Sequence, residues 1–375
     1  MNHAKYLSPL VLIGFAISLC GAAEAPDAFA RQATASGASI LKLIQDQFYL
    51  PKNKVYVQEI HSDVARKYAA DAWASGIQLS AFTAAARVDP DKYLPDVKRY
   101  TAELDAYKLT LNGLEGYNSA IHARSPDRYY DDNAWLSLAF VEAFELTHDN
   151  ADLNRAKIAL KFVLSGEDKT LGGGLYWQEN KNDTKNTCSN APGLCAALRV
   201  AAITKDPELI AAANRLYDWT KANLQDSDGL YFDSLTVDKK LTRTKWTYNS
   251  ALMIRAACLF YDQTHDLAYL KEAERIAAAA QAKWVRPATG ALGGPACFAH
   301  LLAEAFLELS TRDHDPRWRQ VDHTAVQFLW EHNRNSDGFF AEKWEVSNPD
   351  NSGKVRLITQ ASDARAFFRA AWPIE

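Results

Sequence analysis

Beyond its first two dozen residues, this 375-residue chain has no stretch long and apolar enough to cross a bilayer, which excludes a helical membrane span there. It has no excess of either charge. The formal net charge of -4 gives no electrostatic reason to expect nucleic acid or an anionic membrane as a partner. Low-complexity segments and Pro-, Gly- or Ser-rich linkers are also missing, so residues 24–375 are read as a single large domain. Cysteine is scarce. After Cys20 come only Cys188, Cys195, Cys258 and Cys297, and none has the Cys-x-x-Cys or Cys/His spacing of a zinc site. Cys188 and Cys195 leave two alternatives open, a small loop disulfide or two buried thiols. No Gly-x-Ser-x-Gly elbow, His-x-x-x-His pair, Walker-type loop or EF-hand loop occurs, which removes the usual serine-hydrolase, zinc-protease, nucleotide and calcium signatures. No cofactor and no metal are expected.

What is present begins with a leader. Met1 to Ala25 carries one Lys at position 5, an apolar run from Leu10 to Leu19 and small residues at Gly21, Ala22, Ala23 and Ala25. The run is too short for a spanning helix and reads as a secretory signal peptide, 1–23, cut after Ala23. Leu19 stands where a lipobox wants a small residue, which argues against a lipid anchor at Cys20. A secreted or periplasmic location is expected, and a monomer.

Downstream, helical periodicity dominates. Trp135, Leu138, Ala139, Glu142, Ala143 and Leu146 recur at the three-to-four spacing of one helix face, as do Leu252, Ala256, Leu259 and Phe260. A weak repeat organises these helices: Val-Asp-Pro at 88–90, then Thr-x-Asp at 147–149, 204–206, 264–266 and 311–313. The aspartates are 60, 57, 60 and 47 residues apart, the length of one helical hairpin plus a loop, and Thr or Asp can cap the next helix. Between these marks lie Gly172-Gly173-Gly174-Leu175-Tyr176-Trp177, Asp228-Gly229-Leu230-Tyr231-Phe232 and Asp337-Gly338-Phe339-Phe340. Short turns on one side put these longer aromatic loops on the other, where a pocket can form. With a first hairpin around Ile60 to Ala86, six helical pairs are predicted. Uneven repeat lengths and the lack of capping repeats favour closure over an open solenoid, giving an all-α (α/α)6 barrel.

The chemistry centres on Tyr129-Tyr130-Asp131-Asp132-Asn133-Ala134-Trp135. Glycoside hydrolysis with retention needs two carboxyls about 5 to 5.5 Å apart, one to attack the anomeric carbon and one to protonate the leaving oxygen. Two like charges so close cannot both ionise freely, so the pair is expected to titrate as a unit with one pKa raised. The same Asp-Asp-Asn is also a good helix start, with its charge well placed on the helix dipole. The chain is rich in rings, with 10 Trp, 16 Tyr and 16 Phe, which suits stacking on sugars although most must be core.

Tyr130 to Trp135, Lys185-Asn186 with Asn190, and Trp246-Thr247-Tyr248-Asn249 together resemble glycoside hydrolase family 76, the α-1,6-mannanases, in order and approximate spacing. The resemblance implies an (α/α)6 barrel and a retaining, endo-acting enzyme on α-1,6-linked mannan. It makes Asp131 the nucleophile and Asp132 the general acid/base. Asn186, Asn190 and Asn249 can donate and accept to sugar hydroxyls, and Trp246 and Tyr248 offer ring faces. Trp177 and Tyr231, on the Gly-marked loops, are candidate outer-subsite platforms. One departure stands out: Phe298-Ala299-His300 replaces an expected Phe-Lys-Gly, and His300 is a candidate sugar contact in that space. A transglycosidase using the same site, or a non-catalytic mannan-binding protein on the same fold, are the alternatives. His148 and His265 fall at equivalent repeat junctions and are assigned to turns.

Overall fold

The computed structural model describes residues 28–62, 68–121 and 125–372. The predicted leader, 1–23, lies outside the described residues. Within them twelve α-helices alternate between an inner and an outer ring. The inner helices are α2 (Ala72–Val88), α4 (Tyr130–Thr147), α6 (Thr187–Thr204), α8 (Thr247–Thr264), α10 (Ala296–Asp313) and α12 (Leu357–Ala371); the outer ones are α1 (Ala28–Gln47), α3 (Pro90–Glu103), α5 (Asn150–Leu164), α7 (Pro207–Leu224), α9 (Leu267–Trp284) and α11 (Pro316–His332). Each inner helix packs on the next, α2 on α4, α4 on α6, α6 on α8, α8 on α10, α10 on α12, and α12 on α2 again, so the ring is closed. This is the (α/α)6 barrel. Inner helices touch neighbours on every side and are apolar nearly all round; in α4 every residue from Asn133 to Ala143 is buried. Outer helices bury only one stripe.

The repeat marks sit where one helix must reverse into the next. Asp89, Asp149, Asp206 and Asp266 each accept a backbone N–H in the first turn of an outer helix, an N-cap worth about 1 kcal/mol. The fifth mark is displaced. Asp315, not Asp313, caps α11, while Asp313 ends α10 and accepts the Trp318 indole N–H at 2.7 Å. His148, Lys205, His265 and His314 follow four inner helices with φ between 52° and 60°, the left-handed turn that stops each helix, so His148 and His265 are indeed turn residues. The first predicted pair is also corrected: among the described residues no helix lies between Ile60 and Asp71, and the sixth pair is made by α12 with α1, the two ends of the described chain.

All six inner helices point their N-termini to one face of the barrel and their C-termini to the other. At the C-terminal base a cavity of about 460 Å³ is lined by Arg87, Arg199, Arg255, Arg312, Arg365 and Arg369 against Glu142, Glu145, Glu304 and Glu308. Six converging helix C-termini carry roughly half a negative charge each, which offsets the surplus of arginine over glutamate. The base is therefore a neutralised plug. At the opposite face the longer loops form strands Tyr176–Gln178, Lys181–Asn186, Ser234–Thr236 and Leu241–Thr242 in one antiparallel sheet. All four cysteines after Cys20 are free and buried, which settles Cys188 and Cys195 as thiols on one helix.

Candidate active site

The N-terminal face of the barrel collects the residues singled out from the sequence. Asp131 and Asp132 occupy the first turn of α4, both partly exposed. Asp131 Oδ2 accepts the Trp177 indole N–H at 3.1 Å, and the Cys188 thiol in the first turn of α6 lies beside the same carboxyl. Crowding by protein pushes the Asp131 pKa up to about 6 against the pull of these donors. Asp132 has no such donors. Desolvation comes first, followed by the charges of Asp131, Asp71 and Asp127, and together they hold Asp132 well above the usual carboxylate range. The environments are unequal: Asp131 is the member that ionises first and Asp132 the one that keeps its proton.

This asymmetry has a measurable cost. Both folded-state pKa values lie above the unfolded ones, so the fold holds extra protons and loses stability as pH rises from about 4 through 6 and beyond. Asp132→Asn removes the share of that penalty due to Asp132. It is expected to raise the thermal midpoint by roughly 3–6 °C at pH 7.5, and by nothing near pH 3.5, where wild type is protonated in both states; melting curves at the two pH values check this.

Across the opening, Trp246 is 37% exposed and packs against Phe298, which stacks on Tyr248 with centroids 4.2 Å apart and on Trp73 at 5.8 Å. These four rings form one aromatic wall. Tyr248 also contacts Cys188, which links the wall to Asp131. Asp233, just after the Asp228–Phe232 loop, lies beside Trp246 and Asn249, and burial raises its pKa. Asn186 stands at the N-cap position of α6, and its Oδ1, like Asn249 Oδ1, Thr247 Oγ1 and Asp131 Oδ1, is buried with no protein partner. A ring of unspent hydrogen-bonding atoms at the helix N-termini suits a polar ligand or ordered water.

Several expectations are corrected. Asn190 is fully buried: its Oδ1 accepts Leu175 N–H at 2.8 Å and its Nδ2 donates to Leu175 O and Asn186 O, leaving nothing for a sugar. It is the fourth residue of α6, and fourth residues recur as loop clamps: Asn133 holds the Tyr117 backbone, Ser250 accepts Tyr231 N–H, and Gln360 holds Phe340. Ala299 is the fourth residue of α10, so the departure falls at a clamp position. Tyr231 is 0% exposed and sits in the hydrophobic core, so it is not a platform. His300 is buried, with its Nδ1 bonded to Ala296 O at 3.0 Å, its Nε2 without a protein partner and its pKa lowered to about 4 by burial. Trp177, 41% exposed, faces the cleft as predicted, but over Asp131 rather than at an outer position. Lys185 is a clamp too, its ammonium donating to Asp168, Thr170 O and Gly173 O within 2.9 Å.

Sequence reasoning missed Asp233, Trp73 and Cys188 as site residues, and took Phe298 only as part of the departing segment. Asp233 carried a signal, since it closes the second Gly-aromatic loop directly before a strand; the others are single residues that only the closed ring brings together.

A paired carboxylate of unequal ionisation beside an aromatic wall, at the open end of a helical toroid, is the site of a glycoside hydrolase. Residues 34–344 match the model of glycosyl hydrolase family 76, and the chain belongs to that family. Its structure is similar to the GH76 alpha-mannanase BT2949 of Bacteroides thetaiotaomicron, 29% identical, with TM-score 0.86 over 90% of this chain and 95% of that one. It shares the fold of GH76A, an alpha-1,6-mannanase of Salegentibacter sp. HEL1_6, solved with alpha-1,6-mannotriose as an inactive variant carrying two consecutive Asp-to-Asn changes (21% identical, TM-score 0.76, 90% of this chain and 99% of that one). Among curated proteins it resembles the mannan endo-1,6-alpha-mannosidase DCW1 of Candida glabrata, 27% identical over 151 residues, 36% of this chain and 34% of that protein. The match thus spans about a third of the length of that curated relative.

Proposed function

We propose that this protein is a retaining, endo-acting α-1,6-mannanase that cleaves α-1,6-linked mannan or mannooligosaccharides by double displacement. The observation that carries the proposal is the asymmetry of the pair: Asp131 is held by Trp177 and Cys188, whereas Asp132 is surrounded by carboxylates. Relatives named for α-1,6-mannan, and a neighbour inactivated at two consecutive aspartates, support the substrate and the pair. In the first step ionised Asp131 forms a bond to the anomeric carbon while the glycosidic C–O bond breaks, and Asp132 gives its proton to the departing oxygen. In the second, Asp132, now a carboxylate, takes a proton from water as the water oxygen bonds the same carbon and Asp131 leaves. Asn186 and Asp233 hold sugar hydroxyls, Asn249, fully buried with its Nδ2 donating to Phe232 O, braces the loop that carries Asp233, and Trp246 with Phe298 and Tyr248 supplies the ring face. A secreted or periplasmic, monomeric enzyme completes the proposal.

Incubation with α-1,6-mannotetraose tests the reading. Shorter mannosides are expected from wild type and none from Asp131→Asn; equal silence from both proteins refutes the substrate. Products longer than the tetraose identify a transglycosidase instead.

A further inference from the structure

Trp177 is built into the site in a way that a stacking platform does not require. Its strand, Tyr176–Gln178, pairs with Lys181–Asn186, and both neighbours are tied down: Tyr176 packs under the Lys185 ammonium at 4.5 Å, and Gln178 Nε2 donates to Asp127 Oδ1 at 2.6 Å. The Gly-rich turn before it cannot relax either. A Cβ on Gly174, at φ +80°, would lie 2.5 Å from the Trp219 ring, and Lys185 pins the carbonyls of Thr170 and Gly173. The Tyr129 ring braces the indole itself at 5.1 Å. The direction of one N–H bond is thereby set, and it ends on Asp131 Oδ2 at 3.1 Å.

We propose that Trp177 is a positioning residue: its indole N–H fixes the Asp131 carboxylate and selects it, rather than Asp132, as the ionised member of the pair. A donor held rigidly on one oxygen stabilises the carboxylate before attack and again when Asp131 departs from the sugar, without reorganisation at either moment. The titratable groups that face the pair are Asp132 on the same helix, Tyr129 directly before it, Asp71 and Asp127 from the neighbouring loops, Cys188 from α6 and Tyr248 across the opening. Among these only the Cys188 thiol also favours the Asp131 carboxylate, and S–H is the weaker donor, so the indole is the stronger of the two. The catalytic consequence rests on the proposed mannanase reading; the Trp177–Asp131 contact does not.

The two are separable by experiment. In a ¹H–¹⁵N spectrum of the full chain, the indole resonance that disappears in Trp177→Phe is expected to titrate with pH, with a midpoint near 6, and to lose that titration in Asp131→Asn. A resonance that does not move with pH, or that moves equally in Asp131→Asn, overturns the proposal. Phe keeps an aromatic face and loses the N–H, so it also divides the kinetic roles. Trp177→Phe is expected to move the acid limb of the kcat/KM profile on α-1,6-mannotetraose up by about one pH unit, with KM changed less than about threefold. A raised KM with an unmoved acid limb shows a platform only and contradicts the positioning role. If wild type does not cleave the tetraose yet the indole still titrates with Asp131, the substrate reading fails and the positioning contact stands.

Discussion

Asp131→Ala is expected to lose on the order of 10⁴-fold or more in turnover on every mannoside, whereas Asp132→Ala is expected to lose that much only on substrates with a poor leaving group. The difference follows from the roles that the two environments assign. Asp131 forms the bond to carbon, and no feature of the leaving group replaces it. Asp132 delivers a proton that an alkoxide leaving group needs and an activated phenolate does not, so a 2,4-dinitrophenyl α-mannoside should still transfer its sugar to the enzyme. With that substrate, Asp132→Ala should show a burst of phenolate followed by slow turnover, because the second step lacks its base. Pre-steady-state absorbance measures both phases. If Asp131→Ala gives the burst and Asp132→Ala is silent, the assignments are reversed.

Arg365→Met is expected to destabilise the fold by about 3–5 kcal/mol, a fall of roughly 4–7 °C in thermal midpoint, without touching the cleft. Arg365 lies at the base of the barrel and spends its whole guanidinium on buried acceptors: Nε and Nη2 on Glu304, Nη1 and Nη2 on Glu142, and Nη1 also on Ser80 O, all within 3.0 Å. These contacts join α12 to α10, α4 and α2, so one side chain ties four of the six inner helices. Removing it leaves two buried carboxylates with Arg199, Arg255 and Arg369 as their remaining ionic partners, and the charge left under-compensated accounts for most of the loss. The pH dependence has a definite sign. Arg365 and its neighbours hold Glu142 and Glu304 below the usual carboxylate range, so their stabilisation is complete above about pH 4.5 and is lost as pH falls. In Arg365→Met with Glu142→Gln and Glu304→Gln, much of the stability should return. Chemical unfolding of the single and triple variants, at pH 7 and pH 4, measures the coupling.

The barrel was legible because each reversal from inner to outer helix needs a capped start, and aspartate records that need in the sequence. The reading slipped where two candidate caps lie close together, at Asp313 and Asp315, and at the ring closure, since α1 and α12 are distant in sequence and carry no shared mark. The catalytic pair was legible as adjacent carboxyls before an apolar helix. Its inequality was not, because that depends on Trp177 from one loop and on Asp71 and Asp127 from others. Asn190 and Tyr231 were misassigned for a common reason: composition says which side chains can bind sugar, and only packing says whether their polar atoms are already spent on the loop backbone or buried in the core. Phe298 was visible only as the first residue of the departing Phe298-Ala299-His300 segment, and its place in the aromatic wall follows from α8 and α10 meeting.

Double displacement by Asp131 and Asp132 is tested most directly by the anomeric configuration of the first reducing sugar released from α-1,6-mannotetraose, followed by ¹H NMR before mutarotation. The α-anomer appearing first is the predicted result. The β-anomer appearing first would mean a single inverting displacement and would contradict it.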